Sequence, residues 1–207
     1  MSPRSWASSI SFMALALSSL AVANEPLSEG PPGSEMAVFA GGCFWCTEAD
    51  FDKIPGVVDT VSGYIGGDAQ TASYEQVSAG GTDHIEAVAV FYDPGQTSYD
   101  KLVEAFWPTI DPVTPNAQFC DRGPQYRSAL FYADEEQQRT LQASLSALSA
   151  SGRFDKPIVT ELLPQTDFYP AEDYHQDYYE KNPIRYNFYR SRCGRDARLD
   201  ELWGDAR

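Results

Sequence analysis

A pair of cysteines directly follows a pair of glycines near the start of the sequence. Gly41 and Gly42 lead into Cys43, and Cys46 stands three residues later. A short apolar run precedes the glycines and a helical pattern follows them, so Cys43 is expected in the first turn of a helix. Unpaired main-chain N–H groups and the positive end of the helix dipole favour thiolate there. Such a position can lower a thiol pKa from about 8.5 to between about 3.5 and 7.5, which predicts a nucleophile.

The same spacing has other interpretations. A Cys-x-x-Cys pair is also typical of a thioredoxin-like redox centre or of half a zinc site. The other cysteines, Cys120 and Cys193, stand alone, and His84 and His175 are the only histidines, so no second pair of zinc ligands is apparent. The sequence therefore predicts no metal centre and no organic cofactor. A purely structural pair, buried or disulfide-bonded, is the remaining alternative.

Hydrophobic periodicity indicates the elements that must position these cysteines. Strands are expected at 36–40, 57–64, 85–92, 128–132 and 158–163. Helices are expected at 43–53, from near Ser98 to Pro108, and after an N-cap at Asp134.

The order of these elements predicts the fold class. The first six run strand, helix, strand, strand, helix, strand, which is the split βαβ or ferredoxin-like arrangement. We therefore expect an α+β, two-layer sandwich with helices on one face of an antiparallel sheet. The Tyr-rich segment 171–189 is expected to wrap this core as part of a C-terminal extension.

The cysteine segment also carries a family resemblance. The run GGCFW at 41–45 resembles the signature of the peptide methionine sulfoxide reductase A family, whose members return one epimer of methionine sulfoxide to methionine. Further segments resemble that family's motifs in the same order: SGYIGG at 62–67, SYE at 73–75, HIEAV at 84–88, DRGPQYRS at 121–128 and AEDYHQ at 171–176. The resemblance covers the chain from Met36 to its end.

The resemblance implies roles at the reacting sulfur. Cys43 would attack the sulfoxide sulfur and keep the oxygen as a sulfenic acid. Phe44 and Trp45 resemble the apolar walls that hold the S-methyl group, a task that suits aromatic rings. Glu86 matches the family's acid, which would protonate the leaving oxygen if a low-dielectric pocket kept it neutral.

Three more residues are assigned by motif position. Tyr74 and Tyr126 resemble the phenols that hydrogen-bond the sulfoxide oxygen, since an O–H donor stabilises charge that develops there. Asp121 resembles the carboxylate that orders the site. The implied substrate is methionine-S-sulfoxide, free or in oxidised proteins.

Turnover requires a second thiol. That thiol would expel water from the sulfenic acid and leave a disulfide for a thioredoxin-like reductant. Cys46 is one helical turn from Cys43, whereas Cys193 precedes Gly194 in a C-terminal segment able to move. The family's common use of C-terminal cysteines favours Cys193. Cys46 replaces a glycine of the family's usual motif, so Cys46 stays a candidate for the second thiol. Cys120 is interpreted as a bystander, with a third recycling thiol as the alternative.

Two other functions compete with this one. A thiol–disulfide oxidoreductase would use Cys43 and Cys46 as its exchanging pair. A secreted binding module stabilised by two disulfides would hold both cysteines inert and would have no free thiol.

Composition limits the partners. The chain has 207 residues, 43% of them apolar, and a formal charge of −15. Its length and apolar content are typical of one globular domain. The acidic excess, without a basic cluster, argues against nucleic acid and anionic membranes as partners, and it disfavours self-association, so a monomer is expected.

The N-terminal residues have the pattern of an export signal. One basic residue, Arg4, precedes an apolar stretch that ends in small residues near Ala23. We expect a cleaved signal peptide at 1–23, a flexible leader at 24–34, a reductase domain at 35–207 and a periplasmic location, without stable membrane association after cleavage. An uncleaved anchor is the alternative.

Overall fold

One six-stranded sheet carries the Gly-Gly-Cys segment at the end of an inner strand. The computed structural model describes residues 24–204, so the predicted signal at 1–23 lies outside the described residues. The strands of this sheet are β1 (Glu35–Gly41), β2 (Val57–Ile65), β3 (Ile85–Tyr92), β6 (Ser128–Tyr132), β7 (Glu161–Pro164) and β8 (Phe168–Pro170). They lie in the order β7-β6-β1-β3-β2-β8, and all neighbours are antiparallel except β6 and β7.

A separate two-stranded hairpin, β4 (Ala117–Gln118) and β5 (Asp121–Arg122), lies beside the sheet. The described helices are α1 (Phe44–Phe51), α2 (Tyr74–Ala79), α3 (Tyr99–Phe106), α4 (Glu135–Ala150), α5 (Tyr178–Lys181), α6 (Pro183–Cys193) and α7 (Arg195–Trp203). Among residues 24–204, no helix is both long enough and apolar enough to cross a membrane.

The helices pack on one face of the sheet. Phe39 of β1 contacts Phe51 of α1 and Phe106 of α3, with ring centroids 4.6 and 5.3 Å away. The other face is covered by strand residues such as Phe131 and by Leu27, and within residues 24–204 no helix contributes to that cluster. Since every residue of β3 is buried, this strand lies between both layers of apolar side chains.

The predicted elements can be compared with those observed. The structure confirms a mixed fold of helices and one large sheet, and the strands at 85–92 and 128–132 have the predicted bounds. The first helix is shorter than 43–53, because Cys43 is its N-cap and it ends at Phe51, ahead of Pro55. The last predicted strand begins at Glu161 rather than at 158.

The segment predicted as a flexible leader contacts the domain. Leu27 N–H donates to the carbonyl of Phe168 at 2.7 Å, which places this part of the chain beside β8. Gly30 lies so close to the ring of Phe91 that a Cβ there would be 2.1 Å from it. Part of 24–34 is therefore packed on the sheet.

Candidate active site

The two glycines fix the approach to Cys43. Gly42 has a φ of +85°, and a Cβ at this position would lie 2.4 Å from Cβ of Gln118. A Cβ at Gly41 would lie 2.7 Å from Oγ1 of Thr47. Only glycine fits both the backbone angle and the space at position 42. The chain can therefore turn sharply from β1 into α1 and place Cys43 at the helix start.

Cys43 and Cys46 are both free and both buried, with 7% and 1% of their surfaces exposed. Cys46 N–H bonds to the carbonyl of Cys43 at 3.1 Å, and the two side chains are hydrogen-bonded. Burial raises the pKa of Cys43, and Cys46, Glu86 and Asp121 raise it further. The expectation that the helix start lowers this pKa is wrong, because desolvation and negative neighbours outweigh the helix dipole.

The negative charge of the cysteine pair is instead best stabilised at Cys46. The hydrogen bond from Cys43 is the main reason that the pKa of Cys46 falls to about 7, and Arg195 and Arg190 lower it further against the effect of burial. A thiolate on Cys46 can accept the proton of Cys43. The pair thus loses one proton near neutral pH, and the resulting negative charge lies mainly on Cys46. Transfer of the proton of Cys43 along the hydrogen bond moves that charge to Cys43.

Arg195 brings a positive charge into the core beside this pair. Its side chain is 2% exposed and lies 3.7 Å from Asp50. It donates to the carbonyl of Gly41 at 3.2 Å and of Thr109 at 2.8 Å, and it lies 4.5 Å from the ring centre of Phe119. One guanidinium therefore links α7 to the end of β1, to α1 and to the loop before Cys120.

Arg190 adds a second guanidinium on the same side. It bonds to Asp50 at 3.0 Å, to both oxygens of Asp196 and to the Tyr186 hydroxyl at 3.0 Å. Asp50 lies one turn after Cys46 on α1, so this ion-pair network fixes the helix face that carries Cys46.

Glu86 is a buried carboxyl next to the cysteine pair. It lies on β3 opposite Tyr64 and is 2% exposed. Burial raises its pKa to about 8, and Asp121 and Cys46 contribute, although the N–H of Phe44 donates to Oε2 at 3.2 Å. Glu86 therefore carries its proton at neutral pH, as a general acid must.

Aromatic rings line the start of α1. Trp45 stacks on Tyr178 at 3.8 Å with an interplanar angle of 8°, and its Nε1 donates to Nδ1 of His175 at 3.0 Å. Since Nδ1 accepts this bond, the ring proton of neutral His175 lies on Nε2, which faces Glu172. Burial lowers the pKa of His175 and keeps it neutral. The ring of Phe44 also lies next to His175, with the two ring centroids 4.9 Å apart.

Tyr74 and Tyr126 are half-buried near the acidic groups of the site. Burial raises the pKa of each phenol, and Glu86, Cys43 and Asp121 add to the effect. Both therefore remain protonated and able to donate a hydrogen bond.

Glu172 fixes the position of Tyr74. One carboxylate oxygen of Glu172 accepts from the main-chain N–H of Tyr74 and the other from the hydroxyl of Tyr64, each at 2.9 Å. Glu172 and His175 both belong to the AEDYHQ motif, but nothing in the sequence distinguished a role for either of them.

Asp121 lies between Cys43 and the C-terminal cysteine. It accepts a hydrogen bond from the phenol of Tyr189, which also contacts the thiol of Cys43. Oδ2 of Asp121 lies 3.9 Å from Sγ of Cys193. Tyr189 and Cys193 are one turn apart on α6, so the same helix face presents both. Sequence reasoning missed Tyr189, which nothing distinguishes among 12 tyrosines.

Cys120 and Cys193 form a disulfide across 73 residues. The interpretation of Cys120 as a bystander did not foresee this bond, which forms because the hairpin β4–β5 brings Cys120 to the end of α6. The binding-module alternative required two disulfides and no free thiol, whereas Cys43 and Cys46 are free.

These features define a class. Cys43 and Cys46 are buried and free beside a protonated Glu86, and Cys120 and Cys193 are joined in a disulfide with one exposed member. Thiols and a disulfide close together exchange electrons, which indicates a thiol-dependent oxidoreductase. The sequence model of the family described as peptide methionine sulfoxide reductase matches residues 35–207. The chain belongs to this family, as the sequence resemblance implied.

Individual relatives agree with this assignment. The chain is 51% identical over 170 residues to peptide methionine sulfoxide reductase MsrA of Halalkalibacterium halodurans, covering 82% of this chain and 97% of that protein. Methionine sulfoxide reductase A of Corynebacterium diphtheriae is similar in structure, with a TM-score of 0.66, 36% identity, and coverage of 75% of this chain and 78% of that one. Reduced Mxr1 of Saccharomyces cerevisiae is also similar in structure, with a TM-score of 0.65 and 32% identity. The match covers 76% of this chain and 90% of the Mxr1 chain.

Removing the charge of Arg195 should make the cysteine pair harder to ionise. With the Cys120–Cys193 disulfide intact, only Cys43 and Cys46 titrate as thiols. We expect the midpoint of thiolate absorbance, near pH 7 from the pKa of Cys46, to rise by about one unit in Arg195→Met. Arg195→Lys, which retains a charge, should shift it less. An unchanged midpoint in a folded Arg195→Met protein, as judged by circular dichroism, would contradict this electrostatic role.

Proposed function

We propose that this protein reduces methionine-S-sulfoxide, free or in oxidised proteins, to methionine through a sulfenic acid on Cys43. The observation that carries the proposal is the position of Cys43 at the start of α1, hydrogen-bonded to Cys46 and next to the buried, protonated Glu86. Phe44 and Trp45, on the first turn of the same helix, supply apolar surface for the substrate's methyl group.

The chemical step balances with the groups at hand. Cys46 accepts the proton of Cys43, and the Cys43 thiolate attacks the sulfoxide sulfur. Glu86 gives its proton to the sulfoxide oxygen, and Tyr74 and Tyr126 donate hydrogen bonds to it. The oxygen then passes to Cys43 as a sulfenic acid. The S–O bond of the substrate and the transient bond between the two sulfurs break, and methionine leaves with the two electrons that Cys43 has lost.

Regeneration requires the other thiols. We propose that Cys193 attacks the sulfenic acid, releasing water, and that Cys120 then exchanges with the resulting Cys43–Cys193 disulfide. The products are free Cys43 and the Cys120–Cys193 disulfide, which is the state observed. Because Cys120 is exposed, a thioredoxin-like dithiol protein can reach this disulfide. The support is the position of Cys193 one turn after Tyr189, whose phenol contacts Cys43.

Burial argues against general thiol–disulfide exchange by Cys43 and Cys46. An exchanging pair must present a sulfur to the disulfide of another protein, yet Cys46 is only 1% exposed. Such a pair also has no need of a buried, protonated Glu86.

Four strands lie in the order β6-β1-β3-β2 with antiparallel neighbours, and helices intervene between β1 and β2 and between β3 and β6. We propose that they form a ferredoxin-like unit to which β7 and β8 are added. An experimental structure in which β1 does not lie between β3 and β6 would contradict this description.

We propose export to the periplasm as a monomer, with cleavage after Ala23. The support is the apolar N-terminal stretch and the acidic composition. Expressed as the full chain in a Gram-negative host, the protein recovered from the periplasm should begin at Asn24 by N-terminal sequencing. Retention of Met1 in the membrane fraction would instead indicate an uncleaved anchor.

Single-turnover assays separate the roles of the cysteines. Reduced protein is mixed with a methionine-S-sulfoxide peptide, without further reductant, and methionine is quantified. We expect none from Cys43→Ser and at least one equivalent from Cys193→Ser. With thioredoxin supplied, Cys193→Ser should not cycle, whereas Cys46→Ser, which keeps Cys193 but loses the proton acceptor of Cys43, should cycle at a reduced rate. Continued cycling by Cys193→Ser would assign recycling to Cys46.

Loss of the carboxyl proton should slow the chemical step. Glu86→Gln should lower the single-turnover rate by about 100-fold or more, with substrate binding little changed. The wild-type rate should fall as pH rises through about 8, where Glu86 loses its proton, and this alkaline decline should disappear in Glu86→Gln. Glu104→Gln, at an exposed position on α3, is the control. An unchanged rate in Glu86→Gln would remove Glu86 from the acid role.

A further inference from the structure

A second cluster of potential ligands lies around the disulfide. Sγ of Cys120 is 3.9 Å from Oδ1 of Asp121, and Sγ of Cys193 is 3.9 Å from Oδ2. The three ligand atoms of this cluster lie within 4.8 Å of one another. One carboxylate thus faces both sulfurs.

We propose that reduction of the Cys120–Cys193 disulfide creates a site for one thiophilic divalent cation, such as Zn²⁺ or Cd²⁺, with Cys120, Cys193 and Asp121 as its ligands. Two thiolates and a carboxylate are a donor set that such ions accept. In the oxidised protein the sulfurs are bonded to each other and carry no thiolate charge. Binding is therefore conditional on the redox state.

The observed geometry is close to what a tetrahedral ion requires. Metal–sulfur bonds of about 2.3 Å and metal–oxygen bonds of about 2.1 Å place sulfur and oxygen about 3.6 Å apart and two sulfurs about 3.8 Å apart. Each sulfur lies 3.9 Å from a different oxygen of Asp121, close to that sulfur–oxygen spacing, and with one oxygen as ligand the three atoms lie within 4.8 Å of one another. Since the Cα atoms of the cysteines are 4.9 Å apart, side-chain rotation can separate the sulfurs without moving the main chain.

The surroundings hold the ligands in place. The hydroxyl of Tyr189 donates to Asp121 and orients its carboxylate, as second partners of metal ligands commonly do. The main-chain N–H of Cys120 donates to Sγ of Cys193 at 3.2 Å, and the same bond would stabilise a thiolate there. Because Cys120 is exposed, the ion can enter from solvent and complete its coordination with water.

The sequence could not show this site. Zinc sites that a sequence reveals have closely spaced ligand pairs, whereas these thiols are 73 residues apart. Binding does not depend on the proposed reductase reaction. If that reaction holds, a bound ion would occupy both recycling thiols and stop cycling until it is removed.

The test uses a background in which the other thiol pair is absent. Reduced Cys43→Ser/Cys46→Ser protein, without an affinity tag, is titrated with Cd²⁺ while the ultraviolet thiolate-to-cadmium absorbance is recorded. We expect one equivalent to bind, with release of protons from the thiols. Adding Cys120→Ser should weaken binding about 100-fold or more, and adding Asp121→Asn about 10-fold. The disulfide form of the same protein should give no such absorbance.

Each alternative result is decisive. Binding by the disulfide form, or unchanged affinity after Cys120→Ser, would overturn the proposal. Absorbance seen in the wild-type protein but lost in the Cys43→Ser/Cys46→Ser background would place the ion at the buried pair instead. The readout measures metal binding, so a failed reductase assay leaves it unaffected.

Discussion

The buried guanidinium of Arg195 holds together parts of the chain that are far apart in sequence. It bonds to the carbonyl of Gly41, 154 residues away, and to that of Thr109, 86 residues away. The first contact fixes the end of β1, where the glycine turn delivers Cys43. Because Arg195 lies two residues after Cys193, the same contacts also hold the end of α6 near the reacting sulfur. The nucleophile and the C-terminal cysteine are positioned by one side chain.

Arg195 also limits how charge can be distributed in the site. Four acidic groups of the site are buried or half-buried: Cys43, Cys46, Glu86 and Asp121. Burial by itself acts to raise the pKa of each of them. The pKa of Cys46 falls to about 7, mainly through the hydrogen bond from Cys43 and further through Arg195 and Arg190, whereas that of Glu86 rises to about 8. Between these values one group is a thiolate while the other is still an acid. The hydrogen bond and the two guanidinium groups that act on Cys46, together with the burial of Glu86, thus produce opposite protonation states side by side.

Local patterns predicted the elements that depend on local forces. The strand at 85–92 is a continuous β-favouring run closed by an Asp-Pro-Gly turn, and the helix after Asp134 has its expected cap, with Asp134 accepting from the N–H of Gln137 at 2.8 Å. The short elements α2 and β8 were missed because three to six residues are too few to show a period. The site's long-range members, Tyr189 and Arg195, were missed because only tertiary contacts distinguish them from similar residues.

The pKa of Cys43 shows where helix-start reasoning fails. The position was correct within one residue, but the helix dipole is a partial charge of about one half, and it acts against complete desolvation. The fold resolves this by hydrogen-bonding Cys43 to a thiol that is easier to ionise. A dry sulfur suits attack on a sulfoxide, since water would solvate the thiolate and weaken it as a nucleophile. Exchange with a partner protein needs the reverse, and the exposed Cys120 meets that need. The buried pair, Cys43 and Cys46, therefore meets the requirement of the attack, and the pair with the exposed Cys120 meets that of exchange. A single pair could not be both buried and accessible.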